Sequence, residues 1–161
     1  MRVVLKFELD AYPDEVWAIL HDPIALGEVV APLIELEPVG HRRFPPTWKT
    51  TRAPGDHLVR LRVFGLVPIG DQRIRLSTSR RGDARILEDS GGPVSGVLGL
   101  TKHWRHRMAV SPLPGGRTLY RDRLDISAGV LTPLAWIAAW VLWQYRAIGI
   151  RRVIAGRTQR G

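Results

Sequence analysis

A chain of 161 residues with no cysteine and a formal net charge of +9 has room for one substantial core, but offers no disulfide framework, thiolate metal site or cysteine nucleophile. Apolar residues make up 45% and charged residues 24%, a mixture that excludes a disordered or low-complexity chain and predicts a single domain over residues 1–161. The opening MRVVLKFELD lacks the continuous apolar stretch of a signal peptide, so a cytoplasmic location is expected.

Residues 3 to 9 alternate, with Val3, Leu5, Phe7 and Leu9 on one face and Lys6 and Glu8 on the other, which predicts a half-buried strand. In YPDEVWAILHDP, Pro13 suits a first helical turn, Asp14 and Glu15 suit the positive end of the helix dipole, and Val16, Ile19 and Leu20 form an apolar stripe. A second short helix is predicted around ALGEVVAP. Strand and turn signals then run to residue 127: LIELEPVG, TWKTTR, HLVRLRVFG, QRIRLSTS, ARILED, LTKHWRHRMAV and RTLYRDRLDI, separated by Gly, Pro and Asp. The Gly-rich SGGPVSGVLGL lacks phosphate-loop spacing and is expected as a flexible loop at a cavity mouth. The chain closes with a long helix bearing Leu134, Ile137, Val141, Leu142 and Tyr145, continuing past Gly149. That order predicts an antiparallel α+β domain with the helix laid on the concave side of a curved sheet.

Ile126 to Tyr145 carry no charge and reach the roughly 20 residues needed to span a bilayer. Thr132 and Pro133 suit a helix start within the run, and the arginines that follow it would force an unsignalled N-terminal domain across the membrane. A helix packed on a sheet is therefore the preferred reading.

In TKHWRHRMAV, alternation puts Trp104, His106, Met108 and Val110 on one strand face and His103, Arg105 and Arg107 on the other. The two histidines point apart, so the pair builds no zinc site, and no metal or cofactor is expected. A three-residue loop of Leu113, Pro114 and Gly115 would pair Trp104 with Leu124, His106 with Asp122, Met108 with Tyr120 and Val110 with Thr118. His106 and Asp122 then meet on the inner face. They are candidates for an acid/base couple, for hydrogen bonding to a ligand, or for a satisfied polar pair in a pocket wall, the last being favoured. Trp17, Trp104, Met108, Tyr120, Trp136 and Trp140 are candidates for core or lining. The expected ligand-binding set is Trp104, His106, Met108, Tyr120, Asp122, Trp136 and Trp140.

FELDAYPDEVWAILHDP, HWRHRMAV, GGRTLYRDRLDI and the closing LTPLAWIAAWVLWQYRAIGIRRVIAG together resemble the SRPBCC or START-related superfamily of polyketide cyclase/dehydrase and lipid-transport proteins. The resemblance runs from end to end. Its most specific residues are Trp104, His106, Thr118, Leu119 and Asp122, followed by the long helix. It implies a helix-grip fold: a curved antiparallel sheet of about seven strands around the C-terminal helix, two short helices after the first strand, and a hydrophobic cavity between helix and sheet. It also implies binding of a lipid, polyketide or aromatic-like molecule, and in some members aromatic cyclisation. Met108 stands where relatives often carry a second inward histidine, which argues against a metal or two-histidine mechanism.

Three functions follow: a hydrophobic ligand binder, a cyclase/dehydrase-type enzyme using His106 and Asp122, and an anion-docking module. The third rests on the outward arginines. Arg105 is expected opposite Arg123 and Arg107 opposite Arg121, an unfavourable crowding that acids such as Glu8 or bound anions must moderate. Weak contact with polyanions or an anionic membrane through Arg105, Arg107, Arg121 and Arg123 is the sharper reading of that face. A solvated surface is the plainer one. No nucleic-acid motif accompanies the arginines, so sequence-specific nucleic-acid binding is not expected.

Overall fold

The computed structural model describes residues 1–48 and 56–158. Among the described residues, eight antiparallel strands form one sheet: β1 (Arg2–Leu9), β2 (Ile34–Pro38), β3 (Asp56–Val63), β4 (Val67–Arg81), β5 (Ala84–Asp89), β6 (Gly92–Pro93), β7 (His103–Leu113) and β8 (Arg117–Ser127). Their order is β1-β8-β7-β5-β4-β3-β2, with the two-residue β6 paired to β4. Helices α1 (Pro13–His21) and α2 (Pro23–Val30) follow β1, and α3 (Thr132–Thr158) closes the chain. This is the expected helix-grip arrangement. The Gly-rich segment, expected as a loop, pairs through β6 and forms a short helical turn at Val97–Leu100. The strand expected in TWKTTR falls largely outside the described residues, although Trp48 is buried.

Local signals explain the short helices. Glu15 accepts a hydrogen bond from the Tyr12 backbone N–H at 3.1 Å, closing the first turn of α1. Asp22 caps α2 by accepting from the N–H groups of Ile24 and Ala25 at 2.9 and 3.1 Å. Where α2 crosses α3 the backbones nearly touch: a Cβ on Gly149 would lie 1.9 Å from the Val29 carbonyl oxygen. Only glycine allows that approach.

The β7–β8 hairpin corrects the predicted register. Its loop is Pro114, Gly115 and Gly116, so Leu113 faces Arg117, Trp104 faces Ile126, His106 faces Leu124, Met108 faces Asp122 and Val110 faces Tyr120. Gly115 and Gly116 both have φ above 70°, a left-handed conformation that only glycine adopts cheaply twice in succession. Both must therefore sit in the loop, whereas the sequence reading left Gly116 in the strand. The error is two residues, an even number, so every side chain keeps its predicted face. His103 and Arg105 are exposed, while His106, Met108 and Val110 are buried.

The buried face of α3 also differs from expectation. Ala139, Trp143, Arg146, Ala147, Ile150, Val153 and Ile154 turn inward, whereas Leu134, Ile137 and Val141 are exposed. The helix buries a stripe that alternates large side chains, Trp143 and Ile150, with the small Ala139 and Ala147. No described helix is long and apolar enough to cross a membrane.

Candidate functional site

Between the three helices and strands β2, β3, β4, β5 and β7 lies a cavity of about 110 Å³. Aliphatic side chains dominate its wall, among them Leu20, Leu26, Val30, Val59, Leu61 and Ile74, with Trp48 beside them. Its polar residues are Gln72, Asp89, His106 and Arg146, joined by the indole of Trp104. No Ser, Thr, Cys or Lys lines it among the described residues.

Beneath those polar residues Asp122 forms a buried hub. Its Oδ1 accepts from His106 Nε2 at 2.7 Å and from Trp143 Nε1 at 2.9 Å. Its Oδ2 accepts from Tyr120 Oη at 2.8 Å and from Arg146 Nε at 3.0 Å. The contact to the carboxylate assigns a proton to His106 Nε2. Arg146 directs Nη2 at Met108 Sδ, 3.2 Å away, and the His106 ring stands edge-on to Trp143 with 5.0 Å between centroids. His106 and Asp122 are thus diagonal neighbours across the β7–β8 pair, bonded as expected despite the corrected register.

Asp122 is 1% and Arg146 5% exposed. Burial alone would raise the Asp122 pKa, but the adjacent His106 and its hydrogen bond, the Arg146 charge and the Trp143 hydrogen bond reverse it, holding the carboxyl far below its ordinary value. Burial likewise works against the Arg146 charge, yet Tyr120 and Asp122 more than offset it. Tyr120 is pushed well above its ordinary value by burial and by the adjacent carboxylate. The hub is therefore an ion pair with every carboxylate lone pair occupied.

Asp89 behaves differently. Its Oδ1 accepts from the backbone N–H groups of Arg75 and Gly91 at 2.9 and 3.0 Å, and its Oδ2 from Gln72 Nε2 at 3.4 Å. Burial dominates these bonds and raises its pKa. The Trp104 indole N–H interacts with this carboxyl but closes no hydrogen bond.

Of the expected ligand-binding set, Trp104, His106 and Met108 line the cavity. Tyr120 and Asp122 lie fully buried in the hub behind it. Trp136 and Trp140 are placed elsewhere: Trp136 donates to the Arg2 carbonyl at 2.8 Å, and Trp140 is 46% exposed. Trp17 packs outside the cavity, with the Arg85 guanidinium 5.2 Å above its ring. Trp48, Gln72, Asp89, Trp143 and Arg146 escaped the sequence reading. Alternation could have found two of them, because Asp89 shares a face with Leu87, and Gln72 with Ile74 and Leu76.

The outer arginines are bridged by carboxylates rather than left facing one another as expected, although two carboxylates, Glu88 and Asp125, serve four of them. Arg105 faces Asp125, and Arg121 faces Ala109. Arg107 faces Arg123, but Glu88 takes two hydrogen bonds from Arg107 and two from Arg105. Asp125 pairs with Arg2 and Arg123, each at 2.7 Å, and Arg121 donates to Ser111. Neither expected arginine pair forms, although one other, Arg107 with Arg123, remains, and the polyanion contact through these four arginines is not supported. No group of three or more potential metal ligands occurs among the described residues.

No family pattern and no curated protein sequence matches the chain. Solved structures do match. A START superfamily protein from Mycobacterium smegmatis superposes with a TM-score of 0.60 at 14% identity, covering 96% of this chain and 97% of its own. The chain has a helix-grip fold. An aromatase/cyclase from a Streptomyces species matches with a TM-score of 0.59 at 15% identity, over 99% of this chain and 94% of that one. A protein of Nitrosomonas europaea reaches 0.65 at 12% identity, over 99% and 97%.

Proposed function

We propose that the protein binds a hydrophobic small molecule, a lipid, polyketide or aromatic-like compound, in the cavity between sheet and α3. The supporting observation is the cavity wall: aliphatic over most of its surface, with Gln72, Asp89, Trp104, His106 and Arg146 gathered as its polar groups, the composition of small-molecule sites. A volume of about 110 Å³ is close to that of apolar cavities that take up benzene, so a compact ring fits better than a folded polycyclic chain. Mass spectrometry of small molecules extracted from the purified protein tests this reading. A stoichiometric apolar compound that is absent from a Leu26→Trp variant, whose indole would fill the cavity, is the expected result. A protein that carries no such compound and displaces no bound hydrophobic dye would oppose it.

A cyclase-type activity is the second reading, favoured by the 2.7 Å contact between His106 and Asp122 and by the aromatase/cyclase with the same fold. Asp122 would orient the imidazole while the ring exchanges a proton with substrate. The four donors on Asp122 suit a structural carboxylate equally well, so ligand binding ranks first. Turnover that collapses in Asp122→Asn while ligand is still bound would reverse that order.

A further inference from the structure

The uncharged run from Ile126 to Tyr145 has only half an explanation in the core. Its inward side packs on the sheet, but its outward side leaves Leu134, Ile137, Trp140 and Val141 exposed on α3, with Ile148 one turn beyond the run. Val130 at the preceding tip is 95% exposed, Leu134 66% and Ile148 60%. At 100° per residue, positions 134, 137, 141 and 148 fall on one stripe, with Trp140 at its edge. An exposed apolar stripe of this kind, interrupted by Gln144, marks an interaction surface.

The charges around the ridge select its partner. Arg151 and Arg152 continue the stripe at its C-terminal end, and Lys102 lies beside Gly129 at the other end. Arg151 rests against the Phe7 ring, and Arg152 donates to the carbonyls of Glu28 and Ala31; neither meets a carboxylate among the described residues. No Asp or Glu occurs anywhere from Ile126 to Gly161. A second copy laid on the ridge would bring a basic end against a basic end in either orientation, on a protein already at +9. An anionic surface supplies the missing charge, and its acyl boundary takes up the apolar side chains, with tryptophan at the interface.

We propose that the outward face of α3 docks the protein on an anionic lipid bilayer, lying in the interface with Leu134, Ile137, Trp140 and Val141 inserted and Lys102, Arg151 and Arg152 on the headgroups. Co-sedimentation of the intact protein with vesicles tests this. With vesicles of phosphatidylcholine and phosphatidylglycerol, binding should be on the order of tenfold stronger than with phosphatidylcholine alone. A variant carrying Leu134→Gln, Ile137→Gln and Val141→Gln, all at exposed positions, should keep its circular dichroism and lose vesicle binding. Arg151→Gln with Arg152→Gln should retain weak binding but lose the preference for anionic vesicles. Three outcomes overturn the proposal: wild type left in the supernatant with anionic vesicles, a triple-Gln variant that pellets as well as wild type, or a wild-type dimer that the triple-Gln change dissociates without any vesicle binding. Extraction of an apolar compound from the cavity is unaffected by these outcomes, so ligand binding and membrane docking stand or fall separately.

Discussion

Asp122 and Glu88 each collect four hydrogen bonds from cationic or polar side chains, yet they sit in opposite environments. Asp122 is enclosed with Arg146 under the cavity, whereas the Glu88 side chain is 21% exposed and its partners Arg105 and Arg107 reach solvent. Counting bonds would rank the two clusters equal. Burial does not, because a charge stranded in the interior has no water to turn to, while one stranded at the surface does.

The largest expected effect is therefore at the hub. Asp122→Ala leaves Arg146, Trp143 and Tyr120 without their acceptor and should cost about 3–5 kcal/mol in denaturant unfolding. A loss below about 1 kcal/mol would erase the contrast with Glu88. Arg146→Met strands the carboxylate in the same way. Because each single change leaves the other's charge unpaired, Asp122→Asn with Arg146→Met should cost less than the two singles summed, by about 0.5–3 kcal/mol.

Acid titration sharpens the comparison by setting two buried aspartates against each other. The folded pKa of Asp122 lies below the ordinary 3.8, so its contribution is fully present above that value and is lost as pH falls toward the folded one. Asp89 lies above 3.8; its contribution is fully present below that value and is lost as pH rises through the folded pKa. Unfolding measured across the acid range should thus show Asp122→Asn falling further behind wild type as pH rises, and Asp89→Asn gaining on wild type over the same change. Parallel profiles would mean that the two carboxyls share one environment.

The smallest effect belongs to the outer face. Glu88→Gln should cost about 0.2–1 kcal/mol, with the difference shrinking in high salt as screening takes over. A larger loss that persists in salt would show that the arginine clamp holds the sheet together.

Alternation made the inner and outer sides of β7 and β8 legible residue by residue, because a half-buried strand must sort its side chains by twos. It survived a register error for the same reason. The hairpin loop was misplaced because two glycines in succession can be read as one loop residue and one strand residue until their left-handed φ values are known. The inward side of α3 was not legible from its apolar residues, since Trp143 and Ile150 face inward while Leu134 and Ile137 face outward, and Gly149 gives the close approach to α2. Arg146 read as a flanking charge, because an arginine in a helix looks solvated until a buried carboxylate is found opposite it.

Calorimetric titration with toluene bears most directly on the cavity, since an apolar ring of that size needs only the aliphatic wall. Saturable binding to wild type with a negative heat-capacity change, and none to Leu26→Trp, is the expected result. Absence of binding to wild type, or equal binding to both proteins, would contradict a ligand site between sheet and α3.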